Sequence, residues 1–235
     1  MLINSISNNL SEFNQCEITV LTGCDKLMDL DVTEISNHKN ISINVIDISS
    51  ELASFCPSGR FPAQVYARFF MGNYIKGTIL YLDVDMIVNC CISDLFKDFD
   101  SESGFGACID TGILFNKALG INKLSYDFTY FNAGMFICDL NNPIVLKYFR
   151  DAIVLAQKNN YPLADQDALN FSIQGRFNVM PVKFNYAGVF FSNRYSIIHY
   201  AHLKPTLQLR YLSAFKQYNQ YVTQLHLSFP YRKYS

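Results

Sequence analysis

The eleven residues Thr78-Ile79-Leu80-Tyr81-Leu82-Asp83-Val84-Asp85-Met86-Ile87-Val88 constrain this chain more than any other stretch. Their apolar and β-branched content fits a strand buried on both faces, as in the middle of a parallel sheet. Two aspartates interrupt it, and no other charge lies between Gly77 and Val88. A buried carboxylate is costly unless it is paired or bound to a cation, so Asp83 and Asp85 are expected where the strand runs out into a crevice. Side chains at i and i+2 of a strand point the same way, which lets both carboxylates meet one hard divalent ion. The competing reading is a solvated turn whose aspartates cap nearby backbone groups. The apolar run ahead of them favours a metal or phosphate site at the carboxyl end of a strand.

With 235 residues, half of them hydrophobic and 17% charged, the chain fits one core-forming α/β domain and is not globally disordered. No apolar run approaches the ~18 residues of a membrane span, and the start Met1-Leu2-Ile3-Asn4-Ser5 lacks the basic region of a signal peptide. The expected location is cytoplasmic, with a peripheral hold on the inner membrane as the alternative. Seven cysteines (Cys16, Cys24, Cys56, Cys90, Cys91, Cys108, Cys138) are scattered and form no CxxC pair. They read as reduced core thiols of a cytoplasmic protein.

The net charge of −1 hides an asymmetry: all 20 acids lie at or before Asp167, and the remaining residues carry eight Lys and Arg and no acid. With Tyr221, Tyr231, Tyr234 and Phe229 beside Arg232 and Lys233 in its last 16 residues, the tail is either a solvated basic helix or a surface drawn to phosphates or an anionic membrane. No nucleic-acid-binding motif accompanies the basic third, so a nucleic-acid partner is not expected.

Along the chain, residues 1–12, with Ile3, Ile6 and Leu10 spaced by polar residues, have the spacing of the end of an amphipathic helix. Glu17 to Leu21 and Ile41 to Ile48 read as strands. Pro62 opens a helical pattern that runs to Gly77. Gly104 to Asp110 and Tyr130 to Leu140 read as further strands, with 111–129 as loop around a short helix. Asn142-Pro143 is a helix start, a second helix covers Ala164 to Ile173 with Gly175 as its stop, and Ser196 to Tyr200 is a last strand ahead of a helix within 206–222. Strands alternating with helices imply an α/β sandwich with much of the sheet parallel.

Four polar constellations interrupt apolar stretches: Asp83 with Asp85, Asp110, Asp165-Gln166-Asp167, and His199 with Lys204. Each has an ordinary explanation on its own, such as a helix cap or a satisfied core histidine. Placed at the ends of strands in an open sheet they converge on one crevice. Two carboxylates and an imidazole suit Mn²⁺ better than Ca²⁺, and Lys204 offers a point charge for phosphates.

The ordered set YAR (Tyr66 to Arg68), YLDVD (Tyr81 to Asp85), ACID (Ala107 to Asp110), YFNAG (Tyr130 to Gly134), DQDALN (Asp165 to Asn170) and His199-Tyr200 followed by Lys204-Pro205 resembles glycosyltransferase family 8. The resemblance implies a GT-A type, Rossmann-like nucleotide-diphospho-sugar transferase fold with a mixed, mostly parallel sheet flanked by helices. Residues 1–205 would form the catalytic domain and 206–235 a basic, aromatic helix and tail.

By the same resemblance, Asp83, Asp85 and His199 hold Mn²⁺, with Mg²⁺ as the alternative. Lys204 contacts the donor's diphosphate, Arg68, Asp110, Asn132 and Asp165 hold the sugar's hydroxyls, and Val84 and Ala133 lie in the donor-binding motifs. Gln166 lies beneath the anomeric carbon. The implied activity is retaining transfer of a hexose from UDP-galactose or UDP-glucose to a lipopolysaccharide core or another glycan or lipid-linked acceptor. Gln166 would stabilise an oxocarbenium-like centre attacked from its front face.

Two departures accompany the resemblance. Met1 falls where the family's first helix is already under way, so a central parallel strand and much of the nucleotide pocket are expected to be missing. Between His199 and Lys204 the chain is one residue shorter than the family pattern and has Ala201 and His202 in place of its glycine, which alters the fit to a diphosphate. An inactive, truncated member is therefore the alternative function. A haloacid dehalogenase-type phosphohydrolase, with Asp83 as nucleophile, is the remote one.

Overall fold

The computed structural model describes residues 2–11, 14–23, 40–57, 61–113, 126–187 and 195–201. In chain order these contain α1 (Leu2–Asn9), β1 (Cys16–Thr22), β2 (Ile41–Asp47), α2 (Ser49–Leu52), a 3₁₀ helix (Ala63–Phe70) running into α3 (Met71–Tyr74), β3 (Thr78–Leu82) and β4 (Met86–Val88). There follow a 3₁₀ helix (Ile92–Asp98), β5 (Phe105–Ile109), β6 (Phe131–Asp139), α4 (Pro143–Lys158), α5 (Ala164–Ile173), β7 (Asn178–Met180), a 3₁₀ turn (Val182–Phe184) and β8 (Ile197–His199). The α/β class is as expected. The tail 206–235, with its expected helix, lies outside the described residues, as does Lys204.

The run Thr78–Val88 is not one strand. It is β3 and β4, which belong to different sheets, with Asp83, Val84 and Asp85 as the crossing between them. Nor does β3 lie in the middle of a parallel sheet. It is at the edge of the described four-stranded sheet β3-β6-β5-β7, antiparallel to β6, while β6 is antiparallel to β5 and β5 parallel to β7. The apolar sequence of β3 reflects layers on both faces, which a strand can have whatever the direction of its neighbour. The pairs β1–β2, parallel, and β4–β8, antiparallel, form two smaller sheets.

The strands separate two apolar clusters. Ile79 and Tyr81 of β3 face one, with Phe69, Phe70, Phe105, Phe136 and the inner face of α4; Leu80 and Leu82 face the other, with Met86, Val88, Met135, Ile137 and Ile197. On β6 the alternation changes phase. Phe131 and Ala133 face the first cluster, yet so do Phe136 and Cys138, while Met135 and Ile137 face the second. The register accounts for this: Ala107 pairs with Phe136 but Ile109 pairs with Phe131, so extra β6 residues bulge between them. A bulge re-aims side chains and backbone, and this one contains Asn132, Ala133 and Gly134.

Asn142 caps α4 as expected, its Oδ1 accepting from Ile144 N at 2.9 Å with Pro143 next in line. At the end of α5, Gln174 and Gly175 both have positive φ. The six described cysteines are free thiols, of which Cys108 and Cys138 are buried. No helix among the described residues is long and apolar enough to cross a membrane.

Helix α1 closes one edge of β4. Ile6 enters the second cluster, the buried Ser5 Oγ accepts from Val88 N at 3.0 Å, and Asn9 Nδ2 donates to Val88 O at 3.0 Å. A helix one turn apart thus supplies a strand edge with both halves of a missing ladder partner. Removing the hydroxyl leaves a buried N–H unsatisfied, so Ser5→Ala is expected to lower the unfolding free energy by about 1–3 kcal/mol, read from urea unfolding curves with unchanged slope.

Candidate active site

At the end of β3 the chain must place two acids without stranding either charge. Asp83 is held by its backbone, N donating to Gly134 O at 2.8 Å on the bulge. One of its carboxylate oxygens, Oδ1, accepts from Arg68 Nη2 at 2.9 Å and from Tyr81 Oη at 2.8 Å. Its other oxygen is thereby turned toward Asp85 and His199. Val84, at the tip of the turn, is 83% exposed. The antiparallel pairing of β4 with β8 sets Met86 opposite His199, and Tyr200 N donates to Asp85 O at 3.0 Å, which fixes the second acid beside the imidazole.

His199 is 4% exposed. Its Nε2 lies 3.4 Å from Asp85 Oδ1 and 3.8 Å from Asp83 Oδ2, and ligand atoms of the three residues lie within 4.8 Å of one another. Around a small divalent ion with bonds of about 2.1 Å, cis ligand atoms stand roughly 3 Å apart and trans atoms roughly 4.2 Å. Two oxygens and one nitrogen at these separations fit such an ion. The donor set excludes a thiolate-seeking one.

Arg68 sits behind Asp83. The 3₁₀ winding of Ala63–Phe70 puts Val65 and Arg68 on one face, and Nε donates to Val65 O at 3.3 Å and pairs with Asp165 Oδ2 at 2.9 Å. Nη1 donates to Ala133 O at 2.5 Å, and the guanidinium carbon lies 4.7 Å from the centre of the Tyr81 ring. Burial opposes the charge, but Asp165 and Asp83 outweigh it and raise the guanidinium's pKa above its ordinary value. For Asp165, burial pushes the pKa up to about 6 against the pull of Arg68, with Asp83 pushing the same way as burial. Burial also raises the Tyr81 phenol, which stays a proton donor to Asp83.

The three residues of the acidic turn divide their work. Asp165 pairs with Arg68. Gln166 Oε1 accepts from Ala133 N at 3.0 Å, and its Nε2 donates to Asp110 Oδ2 at 3.0 Å and to Tyr130 Oη at 3.4 Å. Asp167, fully buried, accepts from Tyr130 Oη at 2.5 Å and Leu163 N at 2.7 Å, and is a strut of the fold. Ala164, which begins α5, has φ +44°, a conformation a residue with a Cβ adopts only under strain. Asp110 caps the turn after β5, its Oδ1 accepting from Ile113 N at 2.9 Å, while Oδ2 also accepts from Asn132 Nδ2 at 3.1 Å.

The described residues thus bring together Arg68, Asp83, Val84, Asp85, Asp110, Asn132, Ala133, Asp165, Gln166 and His199. Tyr81, Tyr130, Gly134 and Asn170 stand within the family motifs of the sequence with no role implied for them, and Asn185 stands in none. Tyr81 and Asp83 share the i, i+2 spacing, and Asn170 lies one turn after Gln166, so both had a signal. Asn170 pins α5 to β6 through Phe131 N and O, each at 2.9 Å. Nothing around Asn185 sets it apart from any loop asparagine.

The fold is that of the GT-A glycosyltransferases. The chain belongs to glycosyl transferase family 8, whose profile matches residues 1–209. A Haemophilus influenzae protein that carries a provisional glycosyltransferase name is 27% identical over 191 residues, covering 77% of this chain and 50% of that protein. The chain thus spans about half the length of the curated relative it matches. Among solved structures, an active-site glutamine-to-glutamate mutant of LgtC superposes with a TM-score of 0.71 at 19% identity, covering 94% of this chain and 89% of that one. The galactosyltransferase LgtC in complex with donor and acceptor sugar analogues gives 0.68 at 19%, with the same coverage. The bifunctional glycosyltransferase WbbM gives 0.63 at 20%, covering 85% of this chain and 42% of that one. Family membership removes the phosphohydrolase alternative.

Breaking the central ion pair tests this geometry. Arg68→Met leaves Asp83 and Asp165 without their buried counter-charge and is expected to cost about 3–5 kcal/mol of stability. Adding Asp165→Asn to the same chain should recover part of that loss, and a denaturant double-mutant cycle measures the coupling.

Proposed function

We propose that this chain is a retaining hexosyltransferase that uses a UDP-sugar, galactose or glucose, and extends a lipopolysaccharide core or a similar glycan. The observation that carries the reading is the convergence of Asp83, Asp85 and His199 at one end of a buried polar system whose other end is Gln166 and Asp110. The three would hold Mn²⁺ or Mg²⁺, which when bound offsets charge on the diphosphate leaving group.

The remaining roles fall to the protein's own groups. Gln166 is held by Ala133 N and Asp110, so its amide oxygen is fixed in place and can face a sugar's anomeric carbon. As the bond from that carbon to the diphosphate breaks, positive charge gathers on the ring, and a neutral oxygen dipole already oriented stabilises it without reorganisation. The acceptor's hydroxyl oxygen then bonds to the same face, and its proton passes to the departing phosphate oxygen. Asp110, Asp165 and Asn132 border the same region and suit sugar hydroxyls. Arg68 acts mainly by holding Asp83 and Asp165 in position. Lys204, outside the described residues, is assigned to the diphosphate. A glutamine likewise belongs to the active site of LgtC.

Purified protein with Mn²⁺ is expected to hydrolyse UDP-galactose or UDP-glucose slowly, read as UDP release. Asp85→Ala should lower the rate by roughly a hundredfold or more, while Gln166→Ala should lower kcat and leave UDP binding by calorimetry intact. A chain that folds but binds no UDP in the presence of Mn²⁺ contradicts the proposal and favours the inactive family member.

A further inference from the structure

The imidazole of His199 has two nitrogens, and only one can serve the Asp83–Asp85 pair. Which of them carries the proton is decided by a line of amides whose orientation is fixed at both ends. At one end the backbone N–H of Gly134, which can only donate, points at Asn132 Oδ1 at 3.0 Å. At the other, the carboxylate of Asp110 accepts from Asn132 Nδ2 at 3.1 Å. Asn132 therefore presents its oxygen to Asn185.

The atom of Asn185 that faces it, 2.9 Å from Asn132 Oδ1 and 3.5 Å from Asn132 O, must be the amide nitrogen, because both partners are acceptors. Asn185 Oδ1 is then the atom 3.0 Å from His199 Nδ1. An oxygen there accepts a hydrogen bond from Nδ1–H and leaves Nε2 with its lone pair toward the two aspartates.

Steric confinement acts with the hydrogen bond. A Cβ at position 134 would lie 2.3 Å from His199 Cε1 and 2.9 Å from Nδ1, so the ring rests directly on the backbone of the β6 bulge. Asn185 is itself positioned by its neighbours: Tyr186 N donates to Ile197 O at 3.0 Å and His199 N to Tyr186 O at 2.9 Å. Both Asn185 and Asn132 are buried. Inside the protein a line of satisfied amides has no water to exchange with and no alternative orientation.

We propose that Asn185 is a positioning residue that holds His199 in its Nδ1–H form and so presents Nε2 as a cation ligand, and that Asn132 ties this choice to Asp110 and Gln166. The proposal rests on the reading of Asp83, Asp85 and His199 as a cation site.

The test uses the whole chain and Mn²⁺ alone, followed by electron paramagnetic resonance titration. Asn185→Leu keeps the volume and removes the acceptor; its Mn²⁺ affinity is expected to fall roughly 10–100-fold. His199→Ala should weaken binding at least as much. Wild-type affinity in Asn185→Leu, with His199→Ala weakened, overturns the proposal and spares the site. Unchanged affinity in His199→Ala overturns both. The unaltered protein gives a second measurement that does not depend on the folding of Asn185→Leu. Long-range ¹H–¹⁵N spectra of ¹⁵N-histidine-labelled chain loaded with Mg²⁺ or Zn²⁺, assigned with His199→Ala, should show the proton on Nδ1. A proton on Nε2 overturns the proposal.

Discussion

The guanidinium of Arg68 is the contact on which the other elements depend. It is buried, and a buried cation persists only where acids and carbonyls surround it closely enough to replace water. Here a strand end (Asp83), a helix start (Asp165), a bulged strand (Ala133) and its own 3₁₀ helix (Val65) each supply an oxygen, and Tyr81 supplies a ring face. Four segments distant in sequence are thereby fixed around one planar group. A lysine, with a single nitrogen on a flexible stem, cannot reach these partners in their separate directions.

Behind that contact, the bulge on β6 explains why a strand in the centre of the described sheet carries polar function at all. Without the change of phase, Asn132 and the Ala133 amide would be committed to the regular ladder with β5. With it, Asn132 meets Asp110 and Asn185, Ala133 N meets Gln166, Ala133 O meets Arg68, and Gly134 leaves space for an imidazole. The residues on either side, Phe131 and Phe136, remain in the apolar layer and hold the irregular stretch in place.

The residues that converge at the candidate site were legible in the sequence because charge inside apolar runs is expensive and therefore conspicuous. Asp83, Asp85, Asp110 and the Asp165 turn all fall in that category. The arrangement of strands was less legible. Thr78–Val88 reads as one buried strand, since hydrophobicity reports that both faces are covered and says nothing of direction, sheet membership or a crossing in the middle. The pattern after Pro62 has helical spacing, but most of it winds as 3₁₀, a difference of a fraction of a residue per turn that periodicity over eight residues does not resolve. Asn185 left no trace because a neutral amide in a loop has the same composition whether it orients a ligand or faces water. The basic tail and Lys204 fall beyond the described residues.

The crossing at Asp83-Val84-Asp85 has a further consequence. Asp83 is anchored to one sheet through Gly134, whereas Asp85 and His199 are anchored to another through the β4–β8 pair. In the proposed cation role the three residues would work like a vernier, reading the offset between two surfaces. What sets that offset is the oil between them: Met86, Val88, Met135, Ile137 and Ile197, side chains that carry no charge and no hydrogen-bond donor. Drift in the shape of these side chains would be felt at the mouth of the candidate site before it was felt in the melting point.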